Sequence, residues 1–87
     1  MSQPIQIIIL GPGCANCHRL EFLARSVTEE GDLDVEIKKE TDPVQFINYG
    51  VLTTPGMVIN GKTVSSGRVP SKSEIADFIS EAIGAQS

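Results

Sequence analysis

Hydrophobic residues crowd into one short run near the start of the chain. Ile5-Gln6-Ile7-Ile8-Ile9-Leu10 carries a single polar residue. A run of this length, rich in β-branched side chains, predicts a strand covered on both faces, as in the centre of a sheet. Pro4 precedes it, where a strand tolerates proline, and Gly11-Pro12-Gly13 predicts a tight loop after it. The spacing then becomes helical. Over residues 15–29, Cys17, Leu20, Leu23, Ala24 and Val27 fall within about 120° of one another at ~100° per residue. That stripe predicts a helix resting on the sheet and carrying Cys17 inward. Phe22 falls on the opposite side, as an exposed aromatic or a contact surface, and Gly31 is the expected left-handed cap.

The rest of the chain continues this punctuation. Asp34-Val35-Glu36-Ile37-Lys38 alternates, which predicts a half-buried strand near an edge, with Lys39 and Glu40 leading out. Thr41 or Asp42 caps a short helix with Pro43 first. Val44, Phe46, Ile47 and Tyr49 supply its apolar contacts, and Gly50 closes it. Gly56–Ile59 reads as a third strand, Asn60-Gly61 as a type I′ turn, and Lys62–Ser66 as a fourth strand. Ser71-Lys72-Ser73-Glu74, just after Pro70, is a capping box. It opens a helix whose expected buried face is Ile75, Phe78, Ile79, Ala82 and Ile83, ending at Gly84 with residues 85–87 frayed. Residues 1–3 are expected to be disordered.

Composition narrows the setting. A chain of 87 residues reads as one domain, 1–87. It is long enough to bury roughly 60–65% of its unfolded surface. A net charge of −4 argues against nucleic acid, whose phosphates call for a basic face. The run from Ile5 to Leu10 is too short for a membrane span or for a signal segment with its flanks. Two cysteines are too few for a disulfide-stapled secreted domain. A reducing, cytoplasmic location follows as the expectation, with the thiols reduced and cycling.

Those two cysteines are Cys14 and Cys17, a Cys-x-x-Cys between the first strand and the first helix. The first N–H groups of a helix lack intrahelical partners and carry partial positive charge, which stabilises a thiolate. Three residues apart, the two sulfurs neighbour one another on a helix and form a small disulfide ring. The expected chemistry is attack by Cys14 on a partner disulfide, followed by resolution by Cys17. His18 has three readings: an exposed polar residue, a cation that lowers a thiolate pKa, or a third metal ligand.

The order βαβα–ββα, with Cys14-Ala15-Asn16-Cys17 after the first strand and Thr54-Pro55 before the third, resembles the thioredoxin fold. Gly50-Val51, Thr53-Thr54-Pro55, Val58-Ile59-Asn60-Gly61-Lys62 and Gly67 resemble the C-terminal half of its small, glutaredoxin-sized redox-active disulfide proteins. The resemblance spans nearly the whole chain. It implies an α/β fold, a four-stranded mixed central sheet flanked by three helices, and a thiol–disulfide oxidoreductase. It further implies that Thr54-Pro55 is a cis bond beside the disulfide, with Pro55 shaping the site. Thr54, Gly13 and Gly67 would then meet an extended substrate segment. The implied partners are protein disulfides and a reductase or dithiol electron donor, with a monomer acting alone and no cofactor. The residues between the cysteines differ from the Gly-Pro of thioredoxin and the Pro-Tyr of glutaredoxin. Gly13 stands where thioredoxins carry an aromatic residue, and the chain has no tryptophan. Ser65-Ser66-Gly67 occupies the region of the Gly-Gly and acidic residue that hold glutathione in glutaredoxins, which counts against glutathione as a direct partner.

Two other classes remain open at this level. A Cys-x-x-Cys offers two soft thiolates for Cu(I), for half of a zinc site, or for an iron–sulfur site shared between chains. A non-enzymatic adaptor with this fold would have no need for cysteines beside Thr-Pro. If the helix terminus activates Cys14, alkylation rate against pH places its pKa below that of a free thiol, about 8.5. A value at or above that removes the activation.

Overall fold

Ile5–Leu10 forms β1, and its two faces explain why it is almost wholly apolar. In the computed structural model, which describes residues 4–13 and 15–86, β1 lies inside a four-stranded sheet. Ile5, Ile7 and Ile9 pack on one side with Leu20, Ala24, Val27, Met57, Ile59, Ile75 and Ile79. Leu10 packs on the other with Phe46, Val51 and Val58, flanked by the partly buried Ile8 and Tyr49. The expectations for residues 1–3, Cys14 and Ser87 lie outside the described residues.

The remaining elements are α1 (Ala15–Glu30), β2 (Val35–Glu40), α2 (Pro43–Asn48), β3 (Gly56–Ile59), β4 (Lys62–Ser66) and α3 (Lys72–Gln86). The sheet order is β2-β1-β3-β4, with β1 and β2 parallel and the other two pairs antiparallel. Helices α1 and α3 supply the larger of the two apolar layers and α2 the smaller. An exposed ion pair between Lys72 and Glu30 joins α3 to α1. No helix among the described residues is long and apolar enough to cross a membrane.

Local chemistry ends each element, and in three places differently from the sequence expectation. α1 closes with a left-handed residue, but this is Asp32 (φ 49°) rather than Gly31. Asp32 N–H donates to Glu29 O (3.2 Å) and Leu33 N–H to Thr28 O (3.0 Å), the paired bonds of a Schellman turn. Gly31 serves a close approach instead, since a Cβ there would lie 3.1 Å from Leu33 Cγ. β2 runs on through Lys39 and Glu40, because its pairing with Ile9 and Leu10 continues. α3 passes through Gly84 to Gln86. Ile83 is 43% exposed, because it lies about 80° around the helix from Ile75 and off the buried stripe.

Other expectations hold in detail. Asp42 caps α2, its side chain accepting from Val44 N–H (3.0 Å), with Pro43 following. The capping box is reciprocal: Ser71 Oγ accepts from Glu74 N–H (3.2 Å) and Glu74 Oε1 accepts from Ser71 N–H (3.3 Å). Asn60 and Gly61 both have positive φ, as a type I′ turn demands. Asn60 also extends the β1–β3 ladder, because its N–H donates to Gln6 O (2.8 Å) and its Oδ1 accepts from Gln6 N–H (2.9 Å).

Asn60 therefore combines a left-handed backbone with a side-chain bond, and two variants separate these. Asn60→Gly keeps the backbone freedom and loses about 1 kcal/mol for the side-chain bond. Asn60→Ala loses both, for a total of roughly 2–3 kcal/mol, read by denaturant unfolding. Equal losses would show that the turn conformation contributes nothing.

Candidate functional site

The site begins with strand register. β1 and β3 pair with Leu10 opposite Gly56, so the residues just beyond, Gly11 and Pro55, come together at the same end of the sheet. β3 and β4 pair with Gly56 opposite Ser66, which brings Gly67 alongside Pro55. Gly67 N–H donates to Pro55 O (2.9 Å). The Thr54-Pro55 peptide bond is cis, Pro55 is buried and Thr54 half-buried. Gly67 has φ 78°, and a Cβ there would lie 3.3 Å from Thr53 Cβ, so both conformation and space favour glycine.

α1 supplies the thiol. Cys17 is the third residue of the helix, 6% exposed, on the face that also buries Leu20, Ala24 and Val27. Its sulfur rests against Gly11: a Cβ built there would lie 2.2 Å from Cys17 Sγ, 3.2 Å from Cys17 Cβ and 3.9 Å from Thr54 Cβ. The first turn of α1 and the loop carrying Thr54-Pro55 thus meet over one glycine. Gly13 is exposed with φ 94°, a conformation that suits glycine.

A cavity of about 90 Å³ opens beside the sulfur, lined by Ile9, Gly11, Gly13, Cys17, His18, Lys39 and Thr41. Lys39 reaches this place because β2 continues past Lys38. Its Nζ lies 3.4 Å from Glu21 Oε1, and Glu21 Oε2 accepts from Arg25 Nη2 (2.9 Å) and Nε (3.1 Å). The Arg25 hydrogen bonds hold the Glu21 carboxyl below its ordinary range; Lys39 adds to this and partial burial opposes it. Among the described residues, no three His, Cys, Asp or Glu side chains cluster closely enough to hold a metal ion.

The structure therefore brings together Cys17, Thr54, Pro55 and Gly67, and sets Gly13 at the cavity. Cys14 is outside the described residues. Gly11 and Lys39 are the members that the sequence reading passed over. A glycine directly after a buried strand signals close backbone approach as well as a loop, and Gly11 fits that signal. Cys17 thus lies buried in the first turn of α1, beside the loop that carries the cis Thr54-Pro55 bond.

The profile of the thioredoxin domain matches residues 5–80. This chain belongs to the thioredoxin family. Two archaeal thioredoxins agree with that membership over most of their length. A thioredoxin of Methanothermobacter thermautotrophicus is 38% identical over 76 residues, covering 87% of this chain and 99% of the relative. A thioredoxin of Methanocaldococcus jannaschii is 36% identical over 73 residues, covering 84% of each. The J-Trx1 fragment of ERdj5 shares the fold, with a TM-score of 0.65 at 21% identity over 95% of this chain and 43% of that one. This member of the family is accordingly a thiol–disulfide oxidoreductase, and its four-stranded mixed sheet with three helices is the thioredoxin fold.

The Glu21 contacts give a pH test beside the site. A carboxyl whose folded pKa lies below its unfolded value stabilises the fold above the unfolded value, near 4.3 for glutamate, and loses that contribution as pH falls through the folded value. Glu21→Gln thus lowers Tm at pH 7, and the difference from wild type shrinks toward zero in stronger acid. A difference independent of pH would show that Glu21 acts through packing rather than charge.

Proposed function

We propose that this protein exchanges disulfides with protein substrates through Cys14 and Cys17. The Cys14 thiolate attacks one sulfur of the substrate disulfide, and the other sulfur leaves as a thiolate. Cys17 then attacks Cys14 Sγ in the mixed disulfide. The Cys14–Cys17 bond forms, the second substrate thiolate leaves, and two electrons have passed to the substrate. A reductase or small dithiol returns the pair to the reduced state. No metal or organic cofactor enters these steps.

The observation that carries this reading is the burial of Cys17 against Gly11 beside Thr54. A protein disulfide has little approach to the thiol of a residue only 6% exposed. Such a thiol exchanges with a sulfur already held in its own chain, and Cys14 is the other cysteine present. Thr54 offers its backbone to an extended substrate segment, Pro55 shapes the floor, and Gly13 and Gly67 leave that segment room to approach. The chain acts as a single-domain monomer in the cytoplasm, where a reducing environment keeps the pair cycling.

Cysteine variants test the two roles. Cys17→Ser accumulates a covalent complex with substrate through Cys14, seen as a band removed by dithiothreitol. Cys14→Ser gives none. Equal trapping by both variants would overturn the assignment.

A further inference from the structure

Gly11 takes no part in the exchange as written, yet the sulfur of Cys17 depends on it. It is buried at the end of β1, with its N–H committed to Glu40 O (3.0 Å). Positive φ among the described glycines occurs at Gly13, Gly50, Gly61 and Gly67, so nothing in the φ of Gly11 calls for glycine. Space calls for it. A Cβ 2.2 Å from Cys17 Sγ is far inside any tolerable contact, and its 3.2 Å from Cys17 Cβ is tight. Even the smallest side chain at this position forces the sulfur to move, and it would also come into ordinary contact with Thr54 Cβ at 3.9 Å. The adjoining cavity of about 90 Å³ gives the sulfur room to yield without unfolding the chain.

We propose that Gly11 is a positioning residue for the redox exchange. By lacking a side chain it sets the depth of Cys17 Sγ between the end of β1 and the Thr54-Pro55 loop, and so sets the rate at which Cys17 resolves a mixed disulfide. This rests on the reading of Cys17 as the resolving thiol. Sulfur displacement requires a narrow line of approach, and a misplacement of about 1 Å slows such a step by as much as ~100-fold. The first attack uses the Cys14 sulfur and forms no bond to Cys17.

Reduced full-length protein mixed with Ellman's reagent separates the two steps. Attack by Cys14 releases one thionitrobenzoate and leaves a mixed disulfide. Resolution by Cys17 closes the protein disulfide and releases the second. In Gly11→Ala the first phase keeps its wild-type rate, and the second slows by roughly 10- to 100-fold. An unchanged second phase, or equal slowing of both, overturns the positioning role while a biphasic wild type leaves the exchange mechanism standing. A wild type that releases only one thionitrobenzoate overturns the resolver assignment itself, and the positioning role with it. Stability supplies an independent check on the contact. Gly11→Ala lowers Tm less in a Cys17→Ala background than in wild type, because the sulfur it would strike is gone. An equal loss in both backgrounds shows that the methyl group and the sulfur do not meet, and overturns the proposal.

Discussion

Burial of β1 from both sides is the constraint from which the rest of the architecture follows. An apolar strand with two covered faces cannot sit at an edge, so neighbours must pair along both of its sides. One neighbour, β2, is parallel, which requires a crossover, and α1 supplies it while covering the Ile5, Ile7 and Ile9 face. The other neighbour, β3, is antiparallel and brings the hairpin with β4. The face of Leu10 needs its own cover, and α2 supplies Phe46 for it. Each helix thus covers apolar residues of one central strand, of which only Gln6 is exposed.

The same arrangement gathers the site. A parallel crossover begins where β1 ends, so the start of α1 stands over that end of the sheet. An antiparallel partner begins there too, so the residues before β3 arrive from the opposite direction. Gly11, Cys17 and Thr54-Pro55 come from three separate stretches and meet without any long-range adjustment beyond strand register. The candidate site thus lies where one strand's end, one helix's start and one strand's beginning meet.

Charge is organised around the exposed edge. β2 presents Glu36, Lys38 and Lys39, a mixed row that discourages another strand from adding to it. Lys39 also faces the cavity beside Cys17, while Glu21 holds it from α1 with Arg25 behind. An edge-protecting lysine is thereby tied to the helix that carries the thiol. A protein with net charge −4 keeps a positive group close to its buried sulfur.

Local patterns settled the elements themselves. The apolar run of β1, the Asn60-Gly61 turn, the Ser71–Glu74 capping box and Pro43 behind its cap are each read within a few residues, because the forces that set them act over a few residues. Cys14-x-x-Cys17 and Thr54-Pro55 also announced the family by their types and order. The tertiary structure decided what depends on contacts between distant segments. Gly11 looked like a loop residue; its place after a buried strand signals a close approach, but only the fold shows that the approaching atom is a sulfur six residues later. Lys39 looked like the end of a strand, because only the continued pairing with Ile9 extends β2 and turns it toward the site. Asp32 took the left-handed position expected of Gly31, beside which Leu33 folds back onto the helix end, and Ile83 stayed exposed because it lies off the packed stripe. Sequence determined which elements form and which chemistry they carry; packing of those elements determined which atoms surround the sulfur, since close approach is a property of pairs of segments and not of either one.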